Sequence, residues 1–194
     1  CNNVTFIDNA SEVGGALICQ GPLTLDITDG NFSSNSAQHG GAIALGNVSG
    51  VINGVVFVDN VALLEAGAST FEDSRVEMSH SDFWRNTAEF GGSFVLLRSS
   101  LNLENSDLSD GASTLYGGLV AAVNSAIVVS NASMTNAQAE EGGAVWLENS
   151  TLEAHSLRVS NCLCSSNGGA IHGYLSSRLL CSDCILENNS AGGR

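Results

Sequence analysis

The chain has 194 residues, 43% of them apolar and 13% charged, and its 20 carboxylates against six arginines leave a formal net charge of −14. So few charges exclude a charge-rich disordered chain, and so acidic a composition excludes nucleic-acid binding, which needs a basic patch. No apolar run reaches the roughly 18 residues that a membrane-spanning helix needs. We therefore expect one folded domain over residues 1–194.

Glycine pairs recur along the whole chain at a nearly constant spacing of about 25 residues, which is typical of solenoid repeats. In the third pair, Ala66 replaces the first glycine. Glycine suits a corner that needs a positive φ or a close approach of two backbones, so we assign the pair a structural role. The second glycines are Gly15, Gly41, Gly67, Gly92, Gly118, Gly143, Gly169 and Gly193.

A series of large apolar residues runs in step with the glycines. The distance along the chain from each glycine to the next apolar residue is almost constant, whereas the distance from the apolar residue to the following glycine varies. Length variation is therefore confined to one loop, as stacked coils with one tolerant corner would show. We predict that these residues fill the interior and stack on one another. They are Phe6, Phe32, Phe57, Phe83, Leu108, Met134, Val159 and Leu186.

Asparagine follows three positions after five of these apolar residues. Asparagines repeated in register can form a ladder of side-chain amides, and asparagine tolerates the left-handed conformation. The series is interrupted elsewhere, as at Gly111 and Cys162, although the spacing holds. We again assign a structural role to its members, which are Asn9, Asn35, Asn60, Asn86 and Asn189.

Between these markers the residues alternate between apolar and polar, as in Leu25–Ile27 and Leu101–Leu103. Period two indicates half-buried strands, and no window has the spacing of an amphipathic helix. Three short strands in each repeat are enough for one turn of a coil. The sequence therefore predicts an all-β fold, a right-handed single-stranded parallel β-helix of about 7.5 coils.

The combination Phe-x-x-Asn followed by Gly-Gly-Ala-Ile or Gly-Gly-Ala-Leu resembles the repeat of the chlamydial polymorphic outer membrane proteins. The best copies are Phe32–Asn35 with Gly40–Ile43, and Phe6–Asn9 with Gly14–Leu17. The resemblance covers the whole chain as degenerate copies. It implies an adhesin-like, extracellular right-handed β-helix.

The two ends of the sequence fall within coils. Cys1 stands five residues before Phe6, and Arg194 directly follows a glycine corner. Open ends of a β-helix are strand edges, which natural solenoids cover. We therefore expect an uncapped segment of a longer repeat protein, whose partners are flanking parts of the same protein or neighbouring protomers at both ends. Cell-surface receptors or glycans are the other partners expected.

Six cysteines occur in the chain, four of them in a Cys-x-Cys and a Cys-x-x-Cys pattern. One interpretation is a zinc site formed by four thiolates, although such sites usually need two short knuckles rather than a rigid stack. We favour disulfides within or between neighbouring coils, and buried free thiols are the third interpretation. The pairing stays open among Cys162, Cys164, Cys181 and Cys184.

Asn-x-Ser/Thr sequons occur seven times, about twice as often as the composition predicts by chance. In a secreted product, sequons on exposed turns should carry glycans, whereas Asn9, in the amide ladder, should not. Together with the acidic, lysine-free composition, they favour an extracellular or cell-surface location. The sequons expected on exposed turns are Asn47, Asn131 and Asn149.

An enzyme is the rival interpretation, because parallel β-helices also carry polysaccharide lyases and glycoside hydrolases. Asp26, Glu77 and Glu153 occupy equivalent outward positions, but they stand two or three coils apart, about 10 to 14 Å, too far for a retaining pair. The histidines fall at four different phases of the repeat, namely His39, His80, His155 and His172.

We therefore predict no catalytic residue, no cofactor and no metal site. The expected function is that of an extracellular structural or adhesive solenoid, a segment of a surface or filament-forming protein. A polysaccharide-acting enzyme and a glycan-binding module are the alternatives.

Overall fold

The chain folds as a parallel β-helix, as the sequence predicted. The computed structural model describes residues 1–192, so the eighth glycine site, Gly193, lies outside the described residues. Each strand pairs in parallel with the equivalent strand of the next coil; Asn31–Ser33, for example, pairs with Val56–Val58. This pairing winds the described chain into about seven coils.

Two sheets form the walls of the tube. The larger sheet contains β1 (Thr5–Ile7), β2 (Leu17–Thr28), β3 (Asn31–Ser33), β5 (Ile43–Asn53), β6 (Val56–Val58), β8 (Ser69–Glu72), β9 (Arg75–Ser79), β10 (Asp82–Trp84), β12 (Phe94–Leu97), β13 (Ser100–Glu104), β14 (Asp107–Ser109), β16 (Val120–Val123), β17 (Ala126–Thr135), β19 (Val145–Glu148), β20 (Thr151–Ser160), β22 (Ile171–Tyr174), β23 (Arg178–Ser182) and β24 (Ile185–Glu187). The smaller sheet contains β4 (Ser36–His39), β7 (Val61–Glu65), β11 (Thr87–Phe90), β15 (Ala112–Tyr116), β18 (Gln138–Ala139), β21 (Leu163–Cys164) and β25 (Ser190–Ala191).

Complete coils contain three or four strands, and the predicted three occur where one strand continues through a corner, as in the coil of β5, β6 and β7. One coil consists of β8, β9, β10 and β11, and the fourth of these belongs to the smaller sheet. The sequence hides this wall because its inward position holds small residues, such as Ala62 and Ala88, and because the pairing shifts register between Ala88 and Phe90. Apolar alternation is therefore weak there.

Every complete coil turns at corners where a single residue has a positive φ. Around the coil of β8 to β11, these residues are Asp73, His80, Arg85 and Gly91, with φ between 47° and 59°. Asn, Asp and Gly tolerate this left-handed conformation best, which explains the turn composition. One corner is occupied in succession by Asp8, Ser34, Asp59, Arg85, Asp110, Asn136, Asn161 and Asn188.

The two glycines of a pair have different roles. Gly40, the first, has a φ of +63°, and Ala66 holds the same position with a φ of +54°. The second position must be glycine because there is no room for a side chain: a Cβ on Gly41 would lie 2.2 Å from the carbonyl oxygen of Gly67 in the next coil. The same contact with the following glycine carbonyl occurs at Gly15, Gly41, Gly67, Gly92, Gly118 and Gly143, whereas Gly169 meets the backbone of Ser190.

The phenylalanine series forms a stacked column inside the tube. Ring centroids of Phe6, Phe32, Phe57 and Phe83 are separated by 4.8, 5.0 and 4.7 Å, with interplanar angles of 17° or less. The last three side chains are fully buried. Each ring therefore packs on its copy in the next coil, and beyond Phe83 the column continues through Leu108.

The asparagine series forms a hydrogen-bond ladder. Asn60 is fully buried, and its Oδ1 accepts bonds of 3.0 Å from the backbone N–H and the Nδ2 of Asn35. Its own Nδ2 donates to Asn86 Oδ1 at 3.0 Å and to the Phe32 carbonyl at 2.9 Å. Asn9 starts the ladder by donating to Asn35 Oδ1. The ladder thus satisfies backbone groups that the corner would leave unpaired.

The ladder is broken in the middle of the chain and returns in the last described coil. Gly111 has no side chain to continue it. Asn189 accepts from the backbone N–H of Cys162 at 2.9 Å and donates to the Val159 carbonyl at 3.0 Å. The Sγ of Cys162 occupies the place of the amide and lies 3.9 Å from the Met134 carbonyl. A buried thiol therefore substitutes weakly for asparagine at this corner.

A second ladder, of serines, was not predicted. Ser99 Oγ accepts a 3.0 Å bond from the backbone N–H of Ser74 and lies 3.0 Å from the Phe71 carbonyl, to which it can donate. The sequence does carry a signal for it, because most members stand seven residues after a second glycine. The members are Ser74, Ser99, Ser125, Ser150 and Ser177.

Ser99→Ala should lower the free energy of unfolding by about 1 to 3 kcal/mol, since the buried N–H of Ser74 loses its acceptor. Denaturant unfolding followed by circular dichroism measures the change. Ser100→Ala is the matched control, because the equivalent residue of the next coil is already Ala126. Equal losses in the two variants would contradict a specific role for the ladder.

Candidate functional site

A polar groove of about 850 Å³ crosses several coils on the outer surface. It follows the corner between β8 and β9 and the equivalent corners of neighbouring coils. The residues at this corner have a positive φ, which lets the chain of each coil turn tightly over the serine ladder. We call it the corner groove; its lining includes the corner residues Asn47, Asp73, Arg98, Asn124 and Asn149, and beneath them Ser74, Ser99 and Ser125.

Charges in the corner groove are paired across coils. Arg98 Nε lies 2.8 Å from Asp73 Oδ1, and its Nη2 lies 2.6 Å from Glu72 Oε1. The hydrogen bond from Arg98 holds the pKa of Asp73 below its ordinary value. Asn149 Nδ2 donates to Asn124 Oδ1 at 2.7 Å. The groove therefore presents amides, hydroxyls, two arginines and one aspartate, on a chain that is strongly acidic overall.

A second arginine–aspartate pair lies at the corner between β10 and β11 and the equivalent corner of the preceding coil. Arg85 donates to both carboxylate oxygens of Asp59, at 2.6 and 2.7 Å, and this hydrogen bonding lowers the pKa of Asp59. The pKa of Asp82 is raised instead, mainly by burial and also by the nearby carboxylate of Asp107. The acidic surface thus contains carboxylates whose pKa is lowered by an arginine and one whose pKa is raised by burial and a neighbouring acid.

Replacing Asp59 and Asp73 together by asparagine should make the free energy of unfolding depend less on pH in acid. A carboxyl whose pKa is lowered in the fold contributes stability above its unfolded pKa, about 4, and loses that contribution as the pH falls through the folded value. Urea unfolding between pH 6 and pH 2 should therefore show a steeper decline in the wild type. Asp8→Asn is the control, because the next residue in its column is Ser34. An equally flat profile in that variant would contradict the assignment.

The three predicted sequons all lie on exposed corners. Asn47 and Asn149 line the corner groove, and Asn131 lies at a different corner. All three residues have exposed side chains and a backbone φ between 46° and 57°. The amide of Asn9, by contrast, donates to Asn35. The geometry therefore leaves Asn47 and Asn131 open to a glycan, whereas Asn149 is exposed but its Nδ2 must first release Asn124 Oδ1.

The carboxylates considered for catalysis stay apart. Asp26 is opposite Val51, which is opposite Glu77, so two coils separate the first two acids. Glu153 follows three coils further on. Within residues 1–192, no three His, Cys, Asp or Glu side chains converge as a metal site requires. The four cysteines of the zinc interpretation therefore do not meet as a set of thiolate ligands.

A serine, a histidine and a glutamate do meet on the outer face of β20 and β23. His155 Nδ1 lies 2.6 Å from Ser182 Oγ, and its Nε2 lies 3.1 Å from Glu153 Oε1. No motif in the sequence indicated this array. The side chains of His155 and Glu153 are 49% and 45% exposed, so water competes for these hydrogen bonds. Such an open site lacks the preorganised, water-excluding surroundings that make a catalytic triad effective.

The other histidines form separate pairs. His39 Nδ1 lies 2.9 Å from Glu65 Oε2, and His172 Nδ1 lies 3.2 Å from Glu141 Oε2. His80 stands at a positive-φ corner. The histidines therefore share no common site, as their different repeat phases indicate.

A small apolar cluster lies on the outer side of the glycine corner. Trp146, Val95 and Ala121 alternate with residues of the main core and are buried. The ring of Tyr116 stacks on Trp146 with centroids 4.6 Å apart. Because Trp146 is only 7% exposed, the cluster braces the corner rather than offering an open aromatic platform.

All six cysteines are unbonded in the structure, and they fall in different surroundings. Cys162 and Cys164 are buried in the wall of the smaller sheet, and burial raises the pKa of both thiols. Cys181 and Cys184 lie at another corner. The expected disulfides stay a prediction, but the two groups are no longer equivalent candidates.

No protein-family model matches the chain, and no curated protein or solved structure matches it significantly. The resemblance to the chlamydial repeat therefore remains an expectation from the sequence. Among the described residues, no helix has the length and hydropathy needed to span a membrane.

Proposed function

We propose that this chain is an extracellular structural or adhesive solenoid, part of a surface or filament-forming protein, and that it carries no catalysis. The observation that carries the proposal is the interior, where columns of phenylalanine, asparagine and serine link each coil to the next. Buried groups of one coil are satisfied by the following coil, which suits a stiff rod better than a hinged enzyme. Further coils or neighbouring protomers are the natural partners of such a rod.

The extracellular location is supported by the exposure of Asn47, Asn131 and Asn149. Expression through a eukaryotic secretory pathway should attach glycans at these positions and leave Asn9 unmodified. Glycopeptide mass spectrometry after enzymatic deglycosylation measures each site. Modification of Asn9, or none at the three exposed positions, would contradict the proposed placement.

Adhesion through glycans is the second candidate function, and the corner groove favours it. The coils repeat about every 4.8 Å, close to the length of one sugar residue in an extended chain. Amides and hydroxyls therefore recur along the groove, with Arg98 among them, at a spacing that suits the hydroxyl groups of a linear glycan. Polar groups placed in this way bind sugars through hydrogen bonds and set specificity.

A glycan array probed with protein that lacks N-glycans tests this candidate, because Asn47 and Asn149 themselves line the groove. We expect linear oligosaccharides to bind and Arg98→Ala to weaken binding at least tenfold. Arg158→Ala is the matched control, since Arg158 is also paired with a glutamate, Glu187, but is not part of the groove lining. Equal losses in both variants would contradict the groove as the binding site.

Electron microscopy and a turnover assay separate the scaffold from the enzyme. Rods should appear, and incubation with neutral and acidic polysaccharides should release no sugar. Sugar release that is lost in Glu153→Gln or His155→Ala would overturn the proposal in favour of an enzyme. Particles no longer than the seven coils of one chain would contradict assembly into a filament.

A further inference from the structure

The strongest unused cluster is the Cys-x-x-Cys pair at the corner between β23 and β24. Cys181 is the last but one residue of β23, and Cys184 directly precedes β24. Between them, Asp183 has a φ of +54°, which turns the chain sharply. A left-handed residue between the two cysteines brings their side chains toward the same side of the corner.

Both cysteines lie beside Ala154 of the preceding coil. Cys181 is paired in register with Ala154, and Cys184 Sγ lies 3.4 Å from the Ala154 carbonyl. Earlier coils fill this inward column with Leu103 and Val129, so the small Ala154 leaves room for sulfur. Cys181 is exposed and Cys184 is half-buried, and partial burial together with the neighbouring thiol of Cys184 raises the pKa of Cys181.

Cys184 also occupies a position where serine serves in earlier coils. Ser81 and Ser106 stand at the same corner, and each hydroxyl lies within 2.9 Å of the carbonyl two residues before it. Cys184 Sγ makes the equivalent contact with the Ser182 carbonyl at 3.4 Å. Serine at position 184 is therefore compatible with the fold, which makes Cys184→Ser an interpretable variant.

Cys162 and Cys164 are not arranged for a bond to each other. Cys162 lies at the corner just before β21 and Cys164 ends that strand, and residues two apart in an extended chain are about 6.6 Å from each other. A disulfide needs Cβ atoms about 3.8 Å apart. Cys162 is fully buried, and its Sγ lies 3.4 Å from the Ser160 carbonyl. Both thiols are also buried, so a small-molecule disulfide cannot reach them as it can reach the exposed Cys181.

We infer that Cys181 and Cys184 form a disulfide by exchange with a small-molecule disulfide, while Cys162 and Cys164 stay reduced. The thiolate of one cysteine attacks a sulfur of oxidised glutathione and releases one glutathione thiolate. The second cysteine, as thiolate, then displaces the other glutathione, which closes the protein disulfide. The two protons lost by the protein end on the two glutathione molecules, which are thereby reduced. That this occurs in the native setting rests on the proposed extracellular location.

Peptide mass spectrometry of the whole chain, folded in a reduced and oxidised glutathione buffer, tests the inference. We expect a cross-link between Cys181 and Cys184, with loss of two hydrogen atoms, and alkylation of Cys162 and Cys164 only after unfolding. Cys164→Ser should leave the cross-link intact, whereas Cys184→Ser should abolish it.

A stable glutathione adduct on Cys181 in the wild type, or a cross-link that includes Cys162, would overturn the inference. Either result is independent of glycan binding and rod formation, because the buffer imposes the redox conditions. Failure of the disulfide and failure of the proposed function are therefore distinguishable.

Discussion

Gly118→Ala is expected to destabilise the protein by about 3 to 5 kcal/mol, near the upper limit for one substitution. A Cβ at this position would lie 2.3 Å from the Gly143 carbonyl oxygen and 2.7 Å from the backbone nitrogen and oxygen of Gln138. All of these are backbone atoms of the next coil, so no side-chain rotation relieves the clash. Relief requires the coils to separate, which lengthens hydrogen bonds such as that from Gly118 N to the Gly142 carbonyl.

Thermal and urea unfolding followed by circular dichroism measure this loss. Gly46→Ala is the matched control, because a Cβ there would meet only Gln20 Cγ, at an ordinary 3.6 Å. We expect that variant to stay within about 1 kcal/mol of the wild type. If both substitutions cost the same, close packing of the second glycine is not the reason for its recurrence.

Asn60→Ala is the second large effect, with an expected loss of about 3 to 5 kcal/mol. The substitution removes the acceptor of the Asn35 backbone N–H and side chain, and it removes the donor to Asn86 and to the Phe32 carbonyl. Asn60 is fully buried, so water does not replace these partners in the intact fold. Each buried group left unpaired costs about 1 to 3 kcal/mol.

Asn9→Ala provides the control for the ladder. Its side chain makes a single ladder bond, from Nδ2 to Asn35 Oδ1 at 2.9 Å, and it is only partly buried. We expect a loss of about 1 kcal/mol. Asn60→Asp refines the test, because aspartate keeps the acceptor for Asn35 but has no amide donor. Should Asn60→Ala cost no more than Asn9→Ala, the ladder would not be cooperative, and its four bonds would be dispensable.

The repeat made the fold predictable because every coil repeats the same steric problem. Phe32, Phe57 and Phe83 recur where a side chain must fill the bore, and the glycine pairs recur where backbones meet. One sequence thus contained many copies of the same constraint, and its nearly constant period was enough to indicate a β-helix. The amide ladder followed from the same register.

Other features escaped the sequence because their signals are weak or not local. The wall of β11 has small inward residues and a register shift, so its alternation is faint. The serine ladder has a regular spacing, but serine is so common in this chain that the signal is easily overlooked. The array of Glu153, His155 and Ser182 joins two coils, and only the pairing of β20 with β23 brings His155 beside Ser182.

The amino-acid sequence alone determined the period, the inward columns and the all-β class, because these depend on side-chain size and polarity at repeated positions. The tertiary structure decided which glycine turns the chain and which one makes room, where the corner groove runs, and which cysteines approach one another. Those properties depend on hydrogen bonds and contacts between residues about one period apart, whose outer side chains change from coil to coil. A repeated core can be predicted from the sequence pattern, whereas the contacts between side chains on an irregular surface are known only from the folded structure.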